Sequence, residues 1–109
     1  MFDVNKNYSV LLDTLACPVI IFSETGGIIL ANKVFESISG YLLEDLINLD
    51  VSVIFDNKIS ENDHNRYINR KLISKSGDVA DWTLFVKDFL MNKEQVKVLT
   101  LIQNIDKNI

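Results

Sequence analysis

Residues 26–41 read GGIILANKVFESISGY. Gly26 and Gly27 supply a turn, because glycine enters the positive-φ region without steric penalty. Ile28–Ala31 continues as a short apolar strand. Asn32 then switches the structure, since its side-chain oxygen can accept from an orphan amide in the first turn of a helix. Lys33–Ser39 follows as that helix, with Val34, Phe35 and Ile38 on its buried face. Gly40 stops it in the left-handed cap that glycine adopts freely.

Upstream, Val19–Ser23 is a continuous run of strand formers, so it pairs with Ile28–Ala31 as a hairpin closed by Glu24–Gly27. Residues 5–15 form a short helix, in which Tyr8, Leu11, Leu12 and Leu15 make one apolar stripe. Pro18 is expected to end it, because the residue before proline avoids the α region. Downstream, Leu42–Ile47 is a second short helix with Asn48 as its cap, and Val51–Phe55 is one helical turn or irregular chain. Residues 56–65 are polar and read as a loop or weak helix.

Three strands complete the chain: Arg66–Ser74, Val79–Leu90 and Gln95–Ile105, separated by turns at Lys75–Asp78 and Met91–Lys93. The last two are apolar on both faces, so both faces of the sheet must be covered. The middle helices cover one face. The N-terminal stripe, or a partner subunit, must cover the other. A helical block between runs of strands argues for an α+β fold with an antiparallel sheet.

The chain has 109 residues, which fits one domain. That domain spans 1–109, with an N-terminal helical segment at 1–16 and a core at 17–106. Net charge is −4, from 11 basic and 15 acidic side chains. A phosphate backbone needs a basic surface, so nucleic acid is not an expected partner. The single cysteine, Cys17, gives no internal disulfide and no cysteine-based zinc site. No run is long and apolar enough to cross a membrane as a helix, and the polar start does not resemble a signal peptide, so the expected location is cytoplasmic.

In this order and spacing the chain resembles a PAS domain. Gly26–Asn32 is similar to the family's glycine turn, second strand and capping asparagine, and Asn32–Tyr41 to its asparagine, aromatic, Glu and Gly-Tyr pattern. Glu44–Ile47 resembles the acidic-apolar helix that follows. Lys75-Ser-Gly77 stands at the family's hairpin turn, and Asn104–Asp106 where it often closes with Asp-Ile-Thr. The departures are Asn48 for a glycine, Asn104 for the closing aspartate and Lys107 after Asp106. The resemblance implies a five-stranded antiparallel sheet with short helices on one face enclosing a small pocket. The short segment 56–70 implies a smaller one.

Phe35, Ile38, Phe55, Trp82, Leu84 and Leu99 are the candidate lining of an apolar ligand pocket; a filled core is the competing reading. His64–Arg70 resembles the His-x-x-Tyr-Ile-x-Arg stretch of haem-binding members, which implies His64 as iron ligand and Arg70 as propionate partner. The competing reading is a solvated loop histidine. A flavin is the other cofactor the family suggests, but the light-sensing Asn-Cys-Arg motif is absent and Cys17 reads as a small buried hydrophobe. Glu44/Asp45 and Asp78/Asp81 read as helix-dipole and hairpin acids rather than a metal site.

The resemblance implies a sensory or regulatory input domain. It would bind a small ligand or partner and signal to an effector in a longer chain: a histidine kinase, a diguanylate cyclase or a transcription regulator. Tyr8, Leu11, Leu12 and Leu15 are the candidate homodimer contact. Output is expected through Asn104–Asp106 and the N-terminal helix. The alternative is a ligand-free interaction and dimerisation module. No nucleophile–base pair stands out, so an enzyme is not expected.

Overall fold

The computed structural model describes residues 4–47 and 49–103. The expected cap at Asn48 and the output segment Asn104–Asp106 lie outside the described residues. A helix, α1 (Val4–Asp13), precedes the hairpin β1 (Val19–Ser23) and β2 (Ile28–Ala31). Two short helices follow, α2 (Lys33–Ser39) and α3 (Leu43–Leu46), then single 3₁₀ turns at Val51–Val53 and Glu61–Asp63. The strands β3 (Tyr67–Ile73), β4 (Val79–Met91) and β5 (Glu94–Gln103) complete the sheet. Its order is β2-β1-β5-β4-β3, and every pairing is antiparallel.

The helical block covers the inner face. Ile20, Phe22, Leu84, Val86, Leu99 and Leu101 of the sheet pack there against Phe35, Leu46, Val51, Ile54 and Phe55. A smaller cluster on the outer face joins Leu12 of α1 to Val19, Ile21, Leu30, Met91 and Val96. The β1–β2 ladder slips by one residue between Ile21 and Phe22. That bulge explains how Ile28 reaches the inner cluster while Leu30 reaches the outer one, against strict alternation.

Asn32 caps α2 as expected, accepting from Phe35 N–H at 3.0 Å. It is fully buried and does more. Its Oδ1 also accepts from Val19 N–H at 3.0 Å, and its Nδ2 donates to the carbonyls of Leu12 (3.1 Å) and Cys17 (2.8 Å). Gly40 ends α2 at φ 76°. α1, in contrast, ends well before Pro18. Thr14 and Leu15 tighten onto the carbonyls of Leu11 and Leu12, and Asn32 takes the Leu12 carbonyl as well. Leu15 therefore leaves the helix, and the expected stripe divides. Leu12 is buried, Tyr8 packs edge-on against Phe89, and Leu11 and Leu15 stay exposed.

The β4–β5 turn is shorter than the expected Met91–Lys93. Met91 still pairs with Glu94, and only Asn92 and Lys93 make the reversal, both at positive φ.

Candidate functional site

The six residues expected to line an apolar pocket come together, but as packing. Phe35, Leu84, Leu99 and Phe55 are at most 2% exposed in one core, and Ile38 and Trp82 lie half-buried against it. Besides a cavity of about 490 Å³ beside Ile38, Leu72 and Ala80, one opens toward the β1–β2 turn. It holds about 400 Å³ and is walled by Phe22, Gly26, Asp50, Lys58, Ser60, His64 and Lys97, among others.

Each wall has a local cause. Gly26 sits at φ 100°, and a Cβ there would run into the Asp50 carboxylate, so glycine keeps the turn tight against that wall. Asp50 holds the 3₁₀ turn after α3 by accepting from the backbone N–H and hydroxyl of Ser52, at 2.9 and 2.7 Å. These bonds, the Ser52 N–H first, keep its carboxyl below the ordinary range. The loop before β3 lies against the middle of β4, where Asn65, at φ 58°, donates its N–H to the Val86 carbonyl at 2.8 Å. That bond sets His64 beside β4 and β5.

At the floor the lining side chains Lys97 and His64 meet the carboxylate of Asp88, which itself lies outside the lining. Lys97 Nζ lies 2.6 Å from Asp88 Oδ1, and His64 Nδ1 lies 3.3 Å from the same oxygen and 3.4 Å from Nζ. Asp88 and Lys97 are direct cross-strand partners. The Lys97 ammonium, donating to Asp88, holds that carboxyl low. Lys97 and Asp88 carry no motif of their own. Their signal in the sequence is hairpin register: a two-residue turn at Asn92-Lys93 sets Asp88 opposite Lys97, whereas a three-residue turn does not.

Arg70 is on β3, away from the floor. Its Nη2 meets Asp63 Oδ2 at 3.3 Å, its Nη1 donates to the Asn69 carbonyl, and its buried Nε has no partner among the described residues. Asp63 also accepts from the Ser60 N–H at 2.9 Å, the main reason its carboxyl is held below the usual range. Two features do not suit a haem: Arg70 is held by Asp63, and the wall around His64 is largely polar. Cys17 is half-buried against the outer cluster. Asp45 pairs with Lys75 at 3.1 Å and Asp81 with Lys71 at 2.8 Å. Among the described residues no three His, Cys, Asp or Glu side chains are grouped to hold a metal.

An apolar groove runs between α1 and the outer face of the sheet. It holds about 350 Å³ and is lined by Tyr8, Leu11, Leu12, Phe85, Phe89 and Val98.

The sequence matches the family model described as PAS fold over residues 6–77. No curated protein matches it. Among solved structures, the chain is similar to the PAS domain of an HTR-like protein from Haloarcula marismortui. That match has TM-score 0.78 and 12% identity, covering 91% of this chain and 96% of that one. A PAS domain from Desulfitobacterium hafniense matches at TM-score 0.75 and 16% identity, covering 87% and 99%. A domain of a sensory box sensor histidine kinase/response regulator from Geobacter sulfurreducens matches at 0.70 and 16%, covering 91% and 92%.

Proposed function

The chain belongs to the PAS fold family, and from that premise we propose that it is the sensory input domain of a larger signalling protein. The observation that supports ligand sensing is the cleft of about 400 Å³. Its walls come from the β1–β2 turn, the segment after α3, the loop before β3, and β5. A small molecule bound there touches helical block and sheet together. It shifts the population toward whichever arrangement of the two it binds better. Because β5 is both a wall of the cleft and the centre of the sheet, the shift leaves along that strand. The effector is a histidine kinase, diguanylate cyclase or transcription regulator in the same chain. The histidine kinase is favoured by the protein the Geobacter domain comes from.

The second reading is a homodimerisation module that needs no ligand. The groove along α1 favours it, with Leu11 and Leu15 exposed beside Tyr8 and Leu12. Native mass spectrometry and a UV–visible spectrum of freshly purified protein test both. Extra mass released on unfolding supports the sensor. A bare chain at twice the protomer mass supports the module. A Soret band lost in His64→Ala would mean that His64 ligates a haem.

A further inference from the structure

Resting on the reading of the cleft as a sensor site, we propose that its floor binds the oxyanion group of a small molecule, a carboxylate or a phosphate, and does so in concert with a proton on His64. Lys97 and His64 are the most enclosed charged or titratable groups in the lining, with side chains 12% and 13% exposed. One carboxylate oxygen, Asp88 Oδ1, serves both. An ammonium has three N–H donors, and an imidazole has a second nitrogen. Among the described residues the third Lys97 N–H and His64 Nε2 have no hydrogen-bond partner, while both side chains line the cleft.

The charge count at the floor explains the proton. With His64 neutral, Asp88 balances Lys97. With His64 protonated, Nδ1–H donates to Asp88, and two cations 3.4 Å apart share one carboxylate. A bound oxyanion supplies the missing negative charge, accepting from Lys97 and His64 together. Protonation and anion binding therefore reinforce each other. The other charged groups around His64 leave this balance in place. Asp63, on its own loop, is paired with Arg70, and Arg66 is exposed. Across the cleft, Asp50 is held by Ser52, and Glu24 and Lys58 are exposed at the mouth.

Calorimetric titration of the intact chain with propionate and, separately, sulfate tests this, at constant ionic strength in chloride. Each stays largely ionised from pH 6 to 8. The expected result is saturable binding of one probe, roughly fivefold or more tighter at pH 6 than at pH 8. Which probe binds separates carboxylate from phosphate-like ligands. Lys97→Met removes the binding, Lys97→Arg keeps it, and His64→Gln keeps weak binding with no pH dependence. Circular dichroism of Lys97→Met matching that of the wild type shows that its loss of binding is not loss of folding. Binding equal at both pH values, or undiminished in Lys97→Met, overturns the proposal. If neither probe binds while native mass spectrometry shows another ligand, the oxyanion assignment falls and the sensor reading stands. If neither experiment finds a ligand, both fall.

Discussion

Every hydrogen-bonding atom of the Asn32 side chain is used, and each bond goes to a different backbone group. Replacing it therefore costs more than a helix cap. Asn32→Ala is expected to lower unfolding free energy by about 2–4 kcal/mol, since it strands buried donors and acceptors in addition to the cap. Asn32→Asp separates the two parts. It keeps the acceptor for Phe35 but sets a carboxylate against the Leu12 and Cys17 carbonyls, so it should destabilise as much as alanine. Urea unfolding of both variants checks this; an aspartate variant close to wild type would show that the cap alone matters. The cap was legible because Asn-x-x-Phe is local. The other bonds were not, because their partners are carbonyls, which carry no side-chain identity and lie far back in the sequence. Asp63 contributes at the same scale. Its carboxyl is held low in the fold by Ser60 and Arg70, so the folded state binds fewer protons than the unfolded chain in acid. Its stabilisation is complete well above about pH 4, the ordinary unfolded value, and is lost as pH falls through the folded one. Stability measured from pH 6 down to 3 should decline, and Asp63→Asn should flatten that decline.

At the scale of elements, the tightest test is the β4–β5 hairpin. Asn92 and Lys93 both take positive φ, at 53° and 69°. A lysine there carries a penalty of roughly 1–2 kcal/mol that glycine avoids. Lys93→Gly should raise the unfolding midpoint by the equivalent of about 0.5–1 kcal/mol, after glycine's greater unfolded-state freedom is subtracted. No gain would mean that the strands impose the turn whatever residue fills it. This turn also marks how far the cleft could be read. Elements with apolar periodicity or a glycine stop were found nearly to the residue, Lys33–Ser39 among them. The cleft is assembled from residues of separate segments, and its floor pair depends on register, which shifts when the turn is read one residue too long. The bulge in β2 was hidden for a related reason, since an all-apolar stretch shows no break in alternation.

Across the whole molecule, the two faces of the sheet differ in how completely they are covered. The inner face is packed by the helical block except at the cleft over Phe22 and Lys97, whereas α1 leaves a groove beside Phe85, Phe89 and Val98. If a second copy fills it, Leu11→Glu should yield a monomer with unchanged circular dichroism, because Leu11 is 60% exposed and contributes little to the protomer's own core. Light scattering on wild type and variant decides it. A wild-type monomer, or a dimer indifferent to the substitution, would remove α1 as the contact.

The sheet order also governs how the molecule can come into being. β5, the last strand described, lies between β1 and β4 and bonds to both. Val19 cannot meet its partner until Thr100 has been made. On the ribosome, the β1–β2 and β3–β4 hairpins must therefore wait with the strand that pairs with both still unmade. Folding is a final, late event rather than a progressive one. A nascent chain arrested before Glu94 clears the exit tunnel should remain protease-sensitive throughout, and protection should arrive in a single step as Gln103 emerges.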